Sequence, residues 1–313
     1  MPGAARTAVI TEARPADRRR IEVRGAFDLG QSIRFGFGQR ESTEDDVMRL
    51  AFVVDGYREQ VGVAVRQQAP GVLDLEISGI AGLNTDLRGA DVREAVDRQV
   101  ARVLSVDVDS TGFDGLGARD PLIGRLQKAR PGLRPPLFYS AYEALAWSVL
   151  SARRPHRQMA ALRDSLGAAH GAAVEVAGQS LPVFPTPEQL LAVEEFPGLP
   201  GIKLRRLHGV ARAALDGRLD TAYLRALPPE VAAAQLQELE GIGPFYAQLV
   251  VIRALGHTDV LPSAEPTVLQ VAGRLLGGEQ PLSQDEFATL AAAWAPWRTW
   301  AAVAVRAAGP LLI

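Results

Sequence analysis

The hydrophobic period of this chain changes near residue 115, and that change limits the folds open to it. Before it, apolar residues recur at every second position: Ile21, Val23 and Phe27, then Val61, Val63 and Val65, then Leu73, Leu75 and Ile77 with Asp74 and Glu76 between them. A period of two puts alternate side chains on opposite faces and predicts half-buried antiparallel strands. One helix follows. Val92, Ala95, Val96, Val100, Val103 and Leu104 share a stripe opposite Arg93, Glu94, Asp97 and Arg98. Strands with helix packed on one face predict a small α+β domain over 21–115, an antiparallel sheet with one or two helices. From 116 to 313 the period is helical. Helices are predicted at about 139–151, 156–168, 187–194, 202–217, 229–239, 244–256, 266–277, 284–293 and 297–308. Two starts are marked by capping signals, Thr186-Pro187-Glu188-Gln189 and Ser283-x-x-Glu286.

Composition narrows the chemistry. The 313 residues, 47% of them hydrophobic, suffice for more than one core. With no cysteine, disulfides, thiolate zinc sites, iron–sulfur clusters and cysteine nucleophiles are all excluded. The four histidines, His156, His170, His208 and His257, are too scattered for a histidine metal site. A net charge of −2 means that nucleic-acid affinity has to come from a local basic patch. Of 34 basic residues, all but Lys128 and Lys203 are arginine. The first twenty residues lack the apolar core and cleavage site of a secretory signal and read as a flexible tail, so a cytoplasmic location is the default expectation. No run approaches the roughly 18–20 apolar residues of a membrane span.

The most informative stretch is LQELEGIGPFYAQLVVIRALGHTDVLPSAEPTVLQ, residues 236–270. Gly241-Ile242-Gly243 makes a tight turn between two helices, and Pro244 opens the second. Free N–H groups at that helix start, with the helix dipole behind them, suit a phosphate. A packed helix–turn–helix corner with nothing bound fits the same residues.

The stretch resembles the helix-hairpin-helix element of the DNA glycosylase superfamily that bears that name, in which a catalytic acid follows about twenty residues later at a helix start. ARPGLRPP (129–136), FPTPEQLLA (184–192), KLRRLHGVARAALDGRL (203–219) and WAPWRTWA (294–301) occur in the order found in the bacterial inducible 3-methyladenine DNA glycosylases. The likeness is dense over about 120–308 and only architectural over 21–115. It implies an all-α, two-lobed glycosylase domain over 116–313 behind the α+β domain, with its hairpin motif at 236–256. Members of the family flip a damaged base out of duplex DNA and hydrolyse its N-glycosidic bond in base excision repair.

Carried over position by position, the resemblance gives Glu265 as the catalytic carboxylate, where the family has Asp. Asp there would also serve as an N-cap. Glu is a poor N-cap, so capping does not explain an acid at 265. Phe245 and Trp294 match aromatic positions of the base pocket, while Leu249 and Pro266 fall where relatives are aromatic. Core packing is the plain alternative for Trp294. Bifunctional members carry a lysine where this chain has Phe245, which implies a glycosylase without lyase activity. Gly241 and Gly243, with Arg205 and Arg206, are expected on the DNA backbone. Arg153, Arg154, His156 and Arg157 are expected in the lesion gap, by stacking or through phosphates. No organic cofactor is implied; a monovalent cation on the carbonyls of Gln237, Leu239 and Ile242 is. The implied partner is double-stranded DNA with damaged bases, the implied state a monomer, with no membrane. Two other readings stay open: a catalytically silent damaged-DNA-binding relative in which Glu265 is a relic, and a helical scaffold using the hairpin for protein contacts.

Overall fold

The computed structural model describes residues 17–35, 46–82, 90–262 and 265–309. Strands β1 (Asp17–Glu22), β2 (Met48–Val53), β3 (Glu59–Ala69) and β4 (Val72–Gly82) form an antiparallel sheet in the order β1-β4-β3-β2. The first strand begins inside the segment expected to be a tail. Arg18 and Arg20 lie opposite Glu76 and Asp74 in the register, and Arg19 reaches Asp97 at 2.6 Å, so charge pairing holds an arginine-rich run in the sheet. The remaining residues of that expected tail lie outside those described.

Helices α1 (Leu29–Phe35) and α2 (Ala90–Val103) cover one face. Leu50, Phe52, Val61, Val63, Val65, Leu73 and Leu75 pack there against Val96, Val100 and Leu104. The two-residue period fits this face, but β3 is not half-buried: residues 59–65 are buried on both sides. The opposite face carries Gly62 and Ala64, small enough for a second layer to approach. A Cβ on Gly62 would lie 2.6 Å from a Val176 methyl group.

That second layer is a hairpin, β5 (Ala172–Val176) and β6 (Gln179–Val183), inserted in the part of the chain read as purely helical. Its strands are five residues long, too short for alternation to stand out from the helical pattern on either side.

The rest is helical and falls into two lobes. The first contains α5 (Ala141–Ser151), α6 (His156–His170), α7 (Pro187–Leu191), α8 (Gly201–Leu215), α9 (Thr221–Ala226), α10 (Pro229–Gln237) and α11 (Pro244–Arg253). The second joins α3 (Thr111–Asp114) and α4 (Pro121–Ala129) to α12 (Pro266–Leu275), α13 (Gln284–Ala291) and α14 (Arg298–Ala307). Each lobe has its own buried core, centred on Leu145, Leu207 and Val250 in the first and on Ile123, Phe287 and Trp294 in the second. The capping boxes at Thr186 and Ser283 both form. Among the described residues no helix is long and apolar enough to cross a membrane.

Candidate active site

A cavity of about 580 Å³ opens between the lobes, lined by α5, α6 and α11 on one side and α12 and α14 on the other. Glu265 stands on its wall as the N-cap of α12. Its backbone is extended, Pro266 takes the first helical position, and Glu265 Oε2 accepts a 2.6 Å hydrogen bond from the Val268 N–H. The expectation that capping does not account for this acid is therefore corrected. Held by Pro266 at the fixed φ of a helix start, the longer side chain curls back to the N–H three residues on. The other oxygen, Oε1, lies 3.9 Å from Arg306 Nε, a loose contact between two side chains that both reach the cavity. The carboxylate is not locked in a tight ion pair.

Arg253, at the end of α11, forms part of the same wall. Its Nη2 donates to the Pro136 carbonyl, and its guanidinium lies 5.2 Å over the Phe35 ring, tying this wall to the sheet domain. Burial pushes the Arg253 guanidinium below its ordinary range, Arg306 adds to that, and Glu265 opposes it.

The aromatic lining differs from the expected one. Phe245 and Leu249 line the cavity, and Phe245 is 49% exposed, its ring edge-on to Tyr246 at 5.3 Å. Trp294 does not line it. Its side chain is fully buried in the second lobe, edge-on to Phe287, with the indole N–H donating to Asp120 at 2.8 Å. Core packing is its role in this fold. Pro266 is also absent from the lining; Thr267 and Val268 reach the cavity instead. Three aromatic residues missed from sequence line the cavity, Phe138, Trp147 and Tyr246. Trp147 is the one residue of α5 that is not buried, so a helix buried on every other side offers a single ring to the cavity. The ion pair Arg163–Asp164 (3.1 Å) on α6 adds a polar patch, also unread from sequence.

Of the arginine cluster, His156 and Arg157 line the cavity, with His156 edge-on to Trp147 at 5.7 Å. Arg153 and Arg154 are exposed in the turn between α5 and α6, and Arg153 has φ +56°.

At the hairpin, Gly241 has φ +88°, the left-handed region that favours glycine, and a Cβ there would sit 2.7 Å from Arg206 Cδ. Gly243 is different. Its backbone is ordinary extended chain and a Cβ would meet nothing within 4 Å, so packing does not demand glycine. No side chain caps α11, and Pro244 lacks an N–H, which leaves Phe245 and Tyr246 as the donors at that helix start. Arg206 and Arg205 stand beside the turn, both paired with Glu240, at 3.2 and 3.6 Å. Gln237 is the last residue of α10, at the negative end of its dipole, and the Leu239 carbonyl accepts from the Ile242 N–H at 3.1 Å.

Two curated sequences and one solved structure place this geometry. The chain is 25% identical over 214 residues to a Bacillus subtilis DNA-3-methyladenine glycosylase, covering 67% of this chain and 70% of that one. It is 28% identical over 185 residues to DNA-3-methyladenine glycosylase 2 of Escherichia coli, covering 57% and 61%. A 3-methyladenine DNA-glycosylase structure from Archaeoglobus fulgidus superposes with a TM-score of 0.70 at 20% identity, over 93% of this chain and 98% of that one. In sequence the chain is similar to DNA-3-methyladenine glycosylases, and in fold to the Archaeoglobus structure. No family model matches it. The fold shared with that structure covers 93% of this chain, so it takes in both lobes around the cavity.

Proposed function

We propose that the chain is a monofunctional DNA glycosylase that hydrolyses the N-glycosidic bond of a damaged, alkylated base flipped into the inter-lobe cavity. The observation that carries this reading is Glu265, a carboxylate on the wall of a cavity large enough for a nucleoside, with one oxygen fixed by the α12 backbone and the other toward Arg306. Cleavage leaves positive charge on the deoxyribose, and a carboxylate held beside it stabilises that charge without reorganising. Trp147, Phe245 and Tyr246 supply faces on which an electron-poor base stacks.

Water is the nucleophile in this reading. No lysine lines the cavity, and Lys203 Nζ is bonded to backbone carbonyls of α5 and the turn after it, so the amine that a lyase step needs is missing. The N–H groups at the start of α11 take a DNA phosphate, with Arg205 and Arg206 adding charge. A monovalent cation would be held by the carbonyls of Gln237, Leu239 and Ile242, which follow one another from the end of α10 into the hairpin turn, and would bring positive charge to the phosphate. Arg153, Arg154, His156 and Arg157 face the gap left by the flipped base. The protein acts as a monomer in the cytoplasm.

The test is chromatographic detection of free base released from methylated duplex DNA. The proposal expects released base and a strand that stays intact until alkali is added. Nicking without alkali contradicts the monofunctional reading. Binding to an abasic-site duplex without any base release supports the silent, binding-only relative instead.

A further inference from the structure

The corner between α5 and α6 is built from an unusual set of contacts. Ser151 ends α5 and His156 and Arg157 begin α6, all three on the cavity wall. The intervening turn is exposed at Arg153 and Arg154, and Arg153 sits in the left-handed region, which a non-glycine residue keeps only when its surroundings hold it. The end of a helix also leaves carbonyls without intrahelical donors. Lys203, in the first turn of α8, meets that need: its Nζ donates to the Leu150 carbonyl and, at 3.1 Å, to that of Ala152.

This is a different use of a cation from the one its neighbours make. Arg205 and Arg206 pair with Glu240 at the surface, whereas Lys203 is partly buried and faces carbonyls at the negative end of α5. Burial lowers its ammonium pKa, and Arg154 and Arg206 push the same way. With two of its three donors committed inward, this ammonium is badly placed to hold a phosphate. A compact head with rotatable donors can bridge two carbonyls two residues apart, which a planar guanidinium fork does less well. In a chain that otherwise relies on arginine, that geometry is a physical reason for lysine at 203.

We propose that Lys203 is a positioning residue that clamps the end of α5 and the turn after it, so that Arg153 is presented to the gap left by the flipped base. The proposal rests on the glycosylase reading above, in which residues 153–157 occupy that gap.

The test is a double-mutant cycle of Lys203→Met and Arg153→Ala, read as affinity for a duplex carrying a tetrahydrofuran abasic analogue and for the same duplex undamaged. Wild type should prefer the abasic duplex. K203M should lose about tenfold on the abasic duplex and under about twofold on the undamaged one, and adding R153A should cost little more than either change alone. Should K203M not fold, K203R takes its place in the cycle, with a smaller loss but the same non-additivity. Additive losses overturn the proposal, as does an equal loss on both duplexes, which would make Lys203 a phosphate contact. A wild type without preference for the abasic duplex would instead remove the glycosylase reading and this proposal with it, and it would be seen before any variant is made.

Discussion

Glu265 serves the fold and faces the cavity at once, and the two roles separate under substitution. Glutamine keeps an oxygen able to accept from the Val268 N–H, so Glu265→Gln should change stability by under about 0.5 kcal/mol in a denaturant melt. Alanine removes the cap and should cost about 1 kcal/mol, in the range of lost N-caps. A glutamine variant that unfolds as readily as the alanine one would mean that charge, rather than the hydrogen bond, holds the start of α12. The acid at 265 was reached through the resemblance, which implies an acid at a helix start about twenty residues after the Gly-Ile-Gly turn. Its hydrogen bond was not, since capping preferences describe residue types and not one side chain beside a proline. Trp294 misled for a related reason. A tryptophan between two helices carries no sign of whether it packs inward or lines a cavity, and here an Asp120 acceptor and the Phe287 ring draw it into the core. Trp147 gave the opposite signal: on an otherwise buried helix, a large ring has to find the one open side.

At the scale of elements, the hairpin turn separates glycine that the fold needs from glycine that a ligand would need. Gly241→Ala forces a side chain into left-handed backbone against Arg206 and should cost about 1–2 kcal/mol of stability. Gly243→Ala meets no neighbour and should leave the melt within about 0.5 kcal/mol of wild type. Its effect should appear in DNA affinity, because a methyl group there would crowd the approach to the N–H groups at the α11 start. An unchanged affinity for duplex DNA in G243A would argue against phosphate at this turn. Long helices were read close to their places, from 156–168 against His156–His170 to 284–293 against Gln284–Ala291, because amphipathic periods are local, whereas the shorter α4 (Pro121–Ala129) and α9 (Thr221–Ala226) were not among the predicted helices. The β5–β6 hairpin escaped because its strands are short and its partner, the Gly62 face of β3, lies over a hundred residues away in the chain.

Across the whole molecule, the sheet domain and the first helical lobe meet at Glu143. Its Oε1 accepts from the Val53 N–H of β2 at 3.0 Å, and burial pushes its carboxyl from the ordinary 4.5 up to about 7, with Asp55 adding to the rise and the Val53 bond and Arg163 opposing it. Between pH 4.5 and 7 the folded chain therefore holds a proton that the unfolded chain has released. Folding is favoured by this group below that window, and the advantage is lost as pH rises through it, by on the order of 3 kcal/mol. Glu143→Gln mimics the protonated form and keeps the acceptor for Val53. Its melting temperature should exceed that of wild type at pH 8 and match it near pH 5; an equal gap at both values would show that Glu143 does not titrate in this range.

The inter-lobe cavity is a property of the assembled chain, since Glu265 comes from one lobe and Trp147, Phe245 and Tyr246 from the other. The resemblance led to the acid and the Gly-Ile-Gly pattern to the turn, whereas only folding shows which aromatic rings stand across from the acid. The most direct measurement is single-turnover base excision from a duplex with one defined alkylated base, comparing wild type with Glu265→Gln. Wild type should release the base, and the variant should do so at least about a hundredfold more slowly while binding the same duplex within about twofold. Equal release by both, or release by neither while both bind an abasic duplex, would contradict the account.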